Sequence, residues 1–258
     1  MKGKVYLIGA GPGDPELLTL KAARLLAGAD VVLHDALVSD AVLAMISRAA
    51  EIINVGKRAG HKLLTQDEIN GLLVSYGRTR KTVVRLKGGD PSIFGRAGEE
   101  IEALRAAGIE YQIVPGISAA LGAAAAAGIS LTDRRVASQI LLTTFSRGID
   151  GSTMDWGCVT STTTLVLYMP GADYGEVSER LLGGGLPADL PCVIVSHAAG
   201  PQQQVRWSSV ARLANEERLP APALLIVGRV ASQDVEEFSA KFWGSNRNGR
   251  ELPRVLVS

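Results

Sequence analysis

From residue 4 to residue 114, short unbroken apolar runs alternate with stretches in which apolar residues recur every three or four positions. Lys4-Val-Tyr-Leu-Ile-Gly9, Asp30 to Asp35, Glu51 to Gly56, the run through Val83, Val84 and Leu86, and Tyr111 to Val114 have the length and continuity of strands buried on both faces. Between them, Leu18, Ala22, Leu25 and Leu26, then Ile69, Leu72, Leu73 and Tyr76, then Ile101 and Leu104 fall at helical spacing. The caps agree with the periods. Asp14 followed by Pro15 predicts a helix start, and Gly28 its end. Thr65-Gln-Asp-Glu68 reads as a capping box, and Glu99 and Glu100 put acids in the first turn of a later helix.

Strand and helix in strict alternation predict a parallel sheet with helices on both faces. Pro115-Gly116 marks a boundary, dividing the chain into 1–115, 116–245 and a flexible tail over 246–258. Beyond the boundary the pattern predicts an alanine-rich helix from Ala119, then strands at Gln139–Thr144 and Leu165–Met169. A helix closing at Gly183-Gly-Gly185 follows, then a strand at Val193–Ser196, a hairpin partner at Gln204–Trp207 and a last buried strand at Ala223–Val227. The fold class is therefore α/β with two αβα domains, a parallel N-terminal sheet and a mixed C-terminal one, and an active-site cleft between them.

Several of these strands end in bare backbone. Gly88-Gly89 removes two side chains where a strand leaves the sheet, and Asp90-Pro91 fixes the turn, so a ligand can meet main-chain groups there. Gly9-Ala-Gly11 is the start of a dinucleotide fingerprint, but position 14 is Asp where a third glycine is required, and a carboxylate repels a pyrophosphate at a helix start. A cationic or zwitterionic ligand suits this loop better; tight turns alone are the plain alternative. Asp35 and Lys57 follow neighbouring strands on the same edge, placed as an acid–base pair or as an ordinary ion pair.

Composition narrows the functions. Hydrophobic residues make up 47% and charged residues 21%, with a net charge of +1, which excludes a nucleic-acid surface spread over the whole molecule. The basic clustering comprises Lys57, Arg58, Lys62, Arg85, Lys87, Arg96, Arg134 and Arg135, and suits carboxylates or phosphates. Cys158 and Cys192 lack metal-like spacing and read as reduced thiols of a cytoplasmic protein. His34, His61 and His197 share no ligand spacing, so no metal is expected. The apolar N-terminal run is too short for a leader or a membrane span.

Five blocks, in one order, carry a resemblance: Val5 to Lys21, Ala29 to Ser39, Val55-Gly-Lys-Arg-Ala-Gly60, Arg85-Leu-Lys-Gly-Gly-Asp-Pro-Ser-Ile-Phe-Gly-Arg96 and Val114 to Ala119. Together they resemble the uroporphyrinogen-III C-methyltransferases, a branch of the tetrapyrrole methylase family. The resemblance implies a homodimer with S-adenosyl-L-methionine bound between two α/β domains and S-adenosyl-L-homocysteine as by-product. It also implies two successive methyl transfers to uroporphyrinogen III, giving precorrin-2 on the route to sirohaem or cobalamin, with no nucleic-acid or membrane partner.

Carried onto this chain, the resemblance implies donor contacts at Pro12, Gly88, Gly89, Asp90, Ile93, Ser118, Ala119, Met169 and Ala198, with Asp35 as proton acceptor and Lys57 as proton donor. The basic residues Arg58, Lys62, Arg85, Lys87, Arg96, Arg134 and Arg135 become candidates for the substrate's carboxylates. Two departures fall in the second half: Leu131-Thr-Asp-Arg134 where such enzymes read Leu-Thr-His-Arg, and Thr144-Phe-Ser146 where they commonly read Thr-Gly-His. Both bear on substrate handling more than on the donor. They leave two other readings: a methyltransferase of a later corrinoid intermediate, and a catalytically silent S-adenosylmethionine binder.

Overall fold

The structure, a computed structural model, describes residues 3–56, 64–79, 81–145, 155–171 and 173–232. The five apolar runs of the first half form β1 (Lys4–Gly9), β2 (Val31–His34), β3 (Glu51–Asn54), β4 (Thr82–Lys87) and β5 (Glu110–Val114). They pair in the order β3-β2-β4-β1-β5, all parallel. Side chains alternate across this sheet, so each strand supplies two cores. Ile8, Val32, Val84 and Leu86 pack on one face against Ala22 and Leu26 of α1 (Leu20–Ala27) and Val42 of α2 (Asp40–Leu43). On the other face Val5, Leu7, Leu33 and Val83 meet Ile69 and Leu73 of α3 (Gln66–Gly77) and Leu104 of α4 (Ala97–Ala106).

The second half contains α5 (Ala119–Ala126), β6 (Gln139–Thr144), β7 (Thr163–Tyr168), α6 (Tyr174–Gly183), β8 (Pro191–Ser196), β9 (Gln204–Ser209) and β10 (Ala223–Val227). Its sheet runs β6-β7-β10-β8-β9, with β6 and β7 parallel and the other pairs antiparallel. Leu165, Leu167, Ile194 and Leu225 face Val177 and Leu181 of α6. Val166, Val193, Val195 and Ile226 face Ala120 and Ala123 of α5, whose small side chains let it lie close to the sheet. The α/β class with a parallel first sheet and a mixed second one is as the sequence pattern expects, and β8–β9 is the expected hairpin.

One helix start moves. Asp14 does cap a turn, its Oδ1 accepting from Glu16 N–H at 2.8 Å, but that turn is a single 3-10 turn, Pro15–Leu17. The chain then extends at Leu18, and Thr19 caps α1 afresh by accepting from Ala22 N–H. The anticipated capping box of α3 is complete: Glu68 N–H donates to Thr65 Oγ1 and Thr65 N–H to Glu68 Oε2. The expected tail, 246–258, lies outside the described residues.

Candidate active site

The strand ends of the first sheet meet where glycines leave room. Gly11 and Gly89 exchange backbone hydrogen bonds, Gly11 N–H to Gly89 C=O at 3.2 Å and Gly89 N–H to Gly11 C=O at 2.8 Å. Gly89 sits at φ +65°, in the left-handed region that glycine enters without strain. A Cβ on Gly9 would stand 2.5 Å from the Gly89 carbonyl oxygen and 2.6 Å from Gly116 Cα, so three chain segments touch backbone to backbone. Asp90 secures the meeting point: Oδ1 accepts from Ser92 N–H at 2.8 Å and Oδ2 from Gly116 N–H at 3.0 Å. One carboxylate thus ties the loop after β4 to the segment leading into α5.

Above this floor lies a cavity of about 390 Å³, within the range of small-molecule sites. The first half contributes Gly11, Pro12, Asp35, Leu37 and the loop from Gly88 to Gly95. The second half contributes Ser118 and Ala119 at the start of α5, Tyr168 to Gly171 after β7, Tyr174, and Arg218 to Leu224 before and into β10. Two contacts lock the halves together here. Gly122 of α5 lies so close to Pro12 that a Cβ would be 2.6 Å from the proline Cβ, and the rings of Phe94 and Tyr168 pack with centroids 4.8 Å apart. The Tyr168 hydroxyl accepts from Ala120 N–H at 3.1 Å, and burial pushes its pKa above the ordinary tyrosine value.

Of the expected donor contacts, Pro12, Gly88, Gly89, Asp90, Ile93, Ser118, Ala119 and Met169 line this cavity. Ala198 does not; it is buried behind Pro12, its Cβ across from Gly122. Met169 follows the end of β7 at φ +48° with 56% of its surface exposed, a wall of the cavity and not a core side chain. Asp35 lies on the cavity's edge, directly after β2. Lys57, Arg58 and Lys62 lie outside the described residues.

Two of the basic candidates for substrate contact are placed elsewhere than expected. Arg85 and Lys87 are fully buried, on the face of β4 that α4 covers. Arg85 Nη2 donates to Asp35 Oδ1 at 2.5 Å and Nε to Glu100 Oε1 at 2.9 Å, while Lys87 Nζ donates to the same Glu100 oxygen at 2.8 Å. These two cations meet carboxylates of the protein itself. Burial, with Arg85 alongside, holds the Lys87 amine below the usual lysine range against the pull of Glu100 and Asp35. Arg96 is exposed, paired with Glu99 through two hydrogen bonds of 2.7 Å. Arg134 is exposed, and Arg135 pairs with Asp133 at 2.7 Å, holding that carboxyl below its ordinary range. Neither Arg134 nor Arg135 lines the cavity.

Residues not singled out by sequence complete the lining: Leu37, Phe94, Tyr168, Tyr174, Arg218 and Pro222 among them. For Tyr168 a signal existed, since it ends a strand beside Met169. The run from Arg218 to Pro222 carried none. Among the described residues no group of three His, Cys, Asp or Glu side chains is arranged to hold a metal ion.

Residues 4–214 match the Tetrapyrrole (Corrin/Porphyrin) Methylases. The chain belongs to the tetrapyrrole methylase family. Within that family it is 50% identical to the uroporphyrinogen-III C-methyltransferase of Paracoccus denitrificans, over 89% of this chain and 82% of that one. It is 47% identical to the siroheme synthase of Zymomonas mobilis, over 93% of this chain but 52% of that protein, so it spans about half the length of such relatives. A solved structure of the uroporphyrin-III C-methyltransferase of Thermus thermophilus complexed with S-adenosylhomocysteine superposes with a TM-score of 0.77. The two are 38% identical, over 88% of this chain and 98% of that one.

At the two places where the sequence resemblance expects other residues, Asp133 and Phe145 each have local partners. Asp133 turns back on its own loop: besides the Arg135 side chain it accepts from Arg135 N–H at 2.8 Å, and it bridges to Ala137. Phe145 packs its ring against Trp156 and under Gly171, a lining residue whose Cβ would stand 3.0 Å from the Phe145 ring.

Proposed function

We propose that this chain transfers methyl groups from S-adenosylmethionine to uroporphyrinogen III, two in succession, giving precorrin-2. The observation that carries the reading is the convergence of eight of the nine expected donor contacts, together with Asp35, on one cavity between the two sheets. The residues fit the donor. Gly88 and Gly89 present backbone without side chains, Asp35 and Asp90 put negative charge where a sulfonium and an ammonium are to be met, and Leu37, Ile93, Met169 and Pro222 give apolar walls. The donor supplies a methyl group already activated by the positive sulfur.

What remains for the protein is to align an electron-rich pyrrole carbon with that methyl, to exclude water, and to take a proton. Phe94 on Tyr168 closes the apolar side of the cavity. Asp35 is the proposed proton acceptor: Arg85 holds Oδ1, and Oδ2 makes no hydrogen bond among the described residues while the side chain is 30% exposed. Lys57 is the proposed proton donor, and Arg58, Lys62, Arg96, Arg134 and Arg135 are assigned to the substrate's carboxylates from sequence alone. A homodimer, a cytoplasmic location and a division into two domains after residue 115 belong to the same proposal.

Incubation with S-adenosylmethionine and enzymatically generated uroporphyrinogen III, followed by mass and visible spectrum, tests the reading. Two added methyl groups are expected. Asp35→Asn is expected to cut turnover by about 10²-fold or more, as loss of a positioned general base does, while S-adenosylhomocysteine affinity stays within about twofold. Methylation of a later corrinoid but not of uroporphyrinogen III overturns the substrate, donor binding without transfer overturns the activity, and equal turnover in Asp35→Asn overturns that residue's role.

A further inference from the structure

Behind Asp35 lies a buried charge cluster that methyl transfer as described does not use. Arg85 is 2% exposed, Lys87 2% and Glu100 0%. The Arg85 guanidinium is held at every nitrogen: Nε to Glu100 Oε1, Nη1 to the Leu33 and Leu86 carbonyls at 3.5 and 3.3 Å, and Nη2 to Asp35 Oδ1. Glu100 Oε1 also accepts from Lys87 Nζ and, at 3.5 Å, from Gln66 of α3, whereas its buried Oε2 has no partner among the described residues. Two cations and two carboxylates balance in charge.

Such a cluster is a poor device for stability, because taking Arg85, Lys87 and Glu100 out of water costs about as much as the attractions return, and a buried carboxylate oxygen that no described residue meets adds to the cost. Among the described members of the cluster, the Asp35 carboxylate is the one that lines the cavity, with its side chain 30% exposed. The geometry points to Arg85, itself fixed by Glu100, as the positioning residue that sets the direction of the Asp35 carboxylate, so that Oδ2 faces the cavity. A lysine does not replace it, since one ammonium on a flexible stem cannot span Glu100 and Asp35 as the planar fork does. This inference rests on the assignment of Asp35 as the proton acceptor.

The test is a double-mutant cycle between Arg85→Met and Asp35→Asn, with turnover, S-adenosylhomocysteine affinity and ligand-free crystal structures as readouts. Arg85→Met is expected to lower kcat about 10²-fold, the scale of a misplacement of about 1 Å, with donor affinity within about twofold of wild type. In the Asp35→Asn background the same substitution is expected to cost nothing further, because it acts through a carboxylate already removed. Arg85→Lys, which keeps the charge and fills the same space, is expected to lose about tenfold and likewise only when Asp35 is present. It decides the matter should Arg85→Met not fold. In the crystal the Asp35 carboxylate of the Arg85 variants is expected to turn away from the cavity. Additive losses, wild-type turnover, or an unmoved Asp35 carboxylate overturn the assignment. If the wild-type protein methylates no tetrapyrrole, the functional reading has failed separately, and the position of Asp35 in the crystals still decides this one.

Discussion

Gly9, Gly89 and Gly116 decide whether the cavity has a floor. A methyl group on Gly116 would run into the Gly89 carbonyl oxygen and stand 2.8 Å from Gly9 Cα, backbone atoms that no rotamer change can move. Gly116→Ala is therefore expected to destabilise the fold by about 3 kcal/mol, the upper end of ordinary single substitutions, in a urea titration; a loss within the usual surface range contradicts the close contact. The sequence showed bare backbone at Gly88-Gly89 and a boundary at Pro115-Gly116, but not that these glycines touch one another, since a tight turn or a ligand explains a glycine at a strand end equally well. The directions of Arg85 and Lys87 were not legible either. Charge on a strand says nothing of which layer covers it, and both side chains point under α4, where Glu100 receives them. Met169 was legible only through its place: an apolar residue at the end of a strand is as ordinary in a core as in a pocket wall.

At the scale of elements, α5 is the part that joins the halves. Its alanines pack on the second sheet while Gly122 admits Pro12 from the loop after β1. Gly122→Val is expected to push Pro12 out of place, lowering S-adenosylhomocysteine affinity about tenfold in calorimetry, an energy of about 1.4 kcal/mol, while the far-ultraviolet dichroism holds. Unchanged affinity contradicts the contact's role. Within β8, Cys192 is fully buried and its thiol is pushed up to about 12 by burial. Since the folded value lies above the ordinary 9.0, the buried thiol's contribution to stability is complete below pH 9 and lost as pH rises from there towards 12. Cys158 is exposed, so a thiol reagent at pH 8 is expected to label it and to reach Cys192 only on unfolding. Two labels on the native protein contradict that burial. The start of α1 was misplaced by sequence because Asp14-Pro15 and Thr19 both satisfy capping rules in succession, and only the extended Leu18 between them separates the turn from the helix.

For the whole molecule, the two sheets matter through the space between them. The alternation of the first half made its parallel sheet legible, and the hairpin of β8 with β9 made the second sheet mixed. What periodicity does not reveal is which loops of the second half meet the first, since Tyr168 to Gly171 and Arg218 to Pro222 are far apart in the chain and share no motif. Phe145 packs against the lining residue Gly171 and Trp156, and Asp133 keeps its partners within its own loop. No helix among the described residues is long and apolar enough to cross a membrane.

The central claim is that the cavity between the sheets takes a sulfonium donor. A crystal structure of the protein grown with saturating S-adenosylhomocysteine tests it most directly. The expected result is density for the ligand against Pro12, Gly88 and Gly89 on one side and Met169 on the other, within reach of Asp35. Density at any other place, or an empty cavity at saturating ligand, contradicts it.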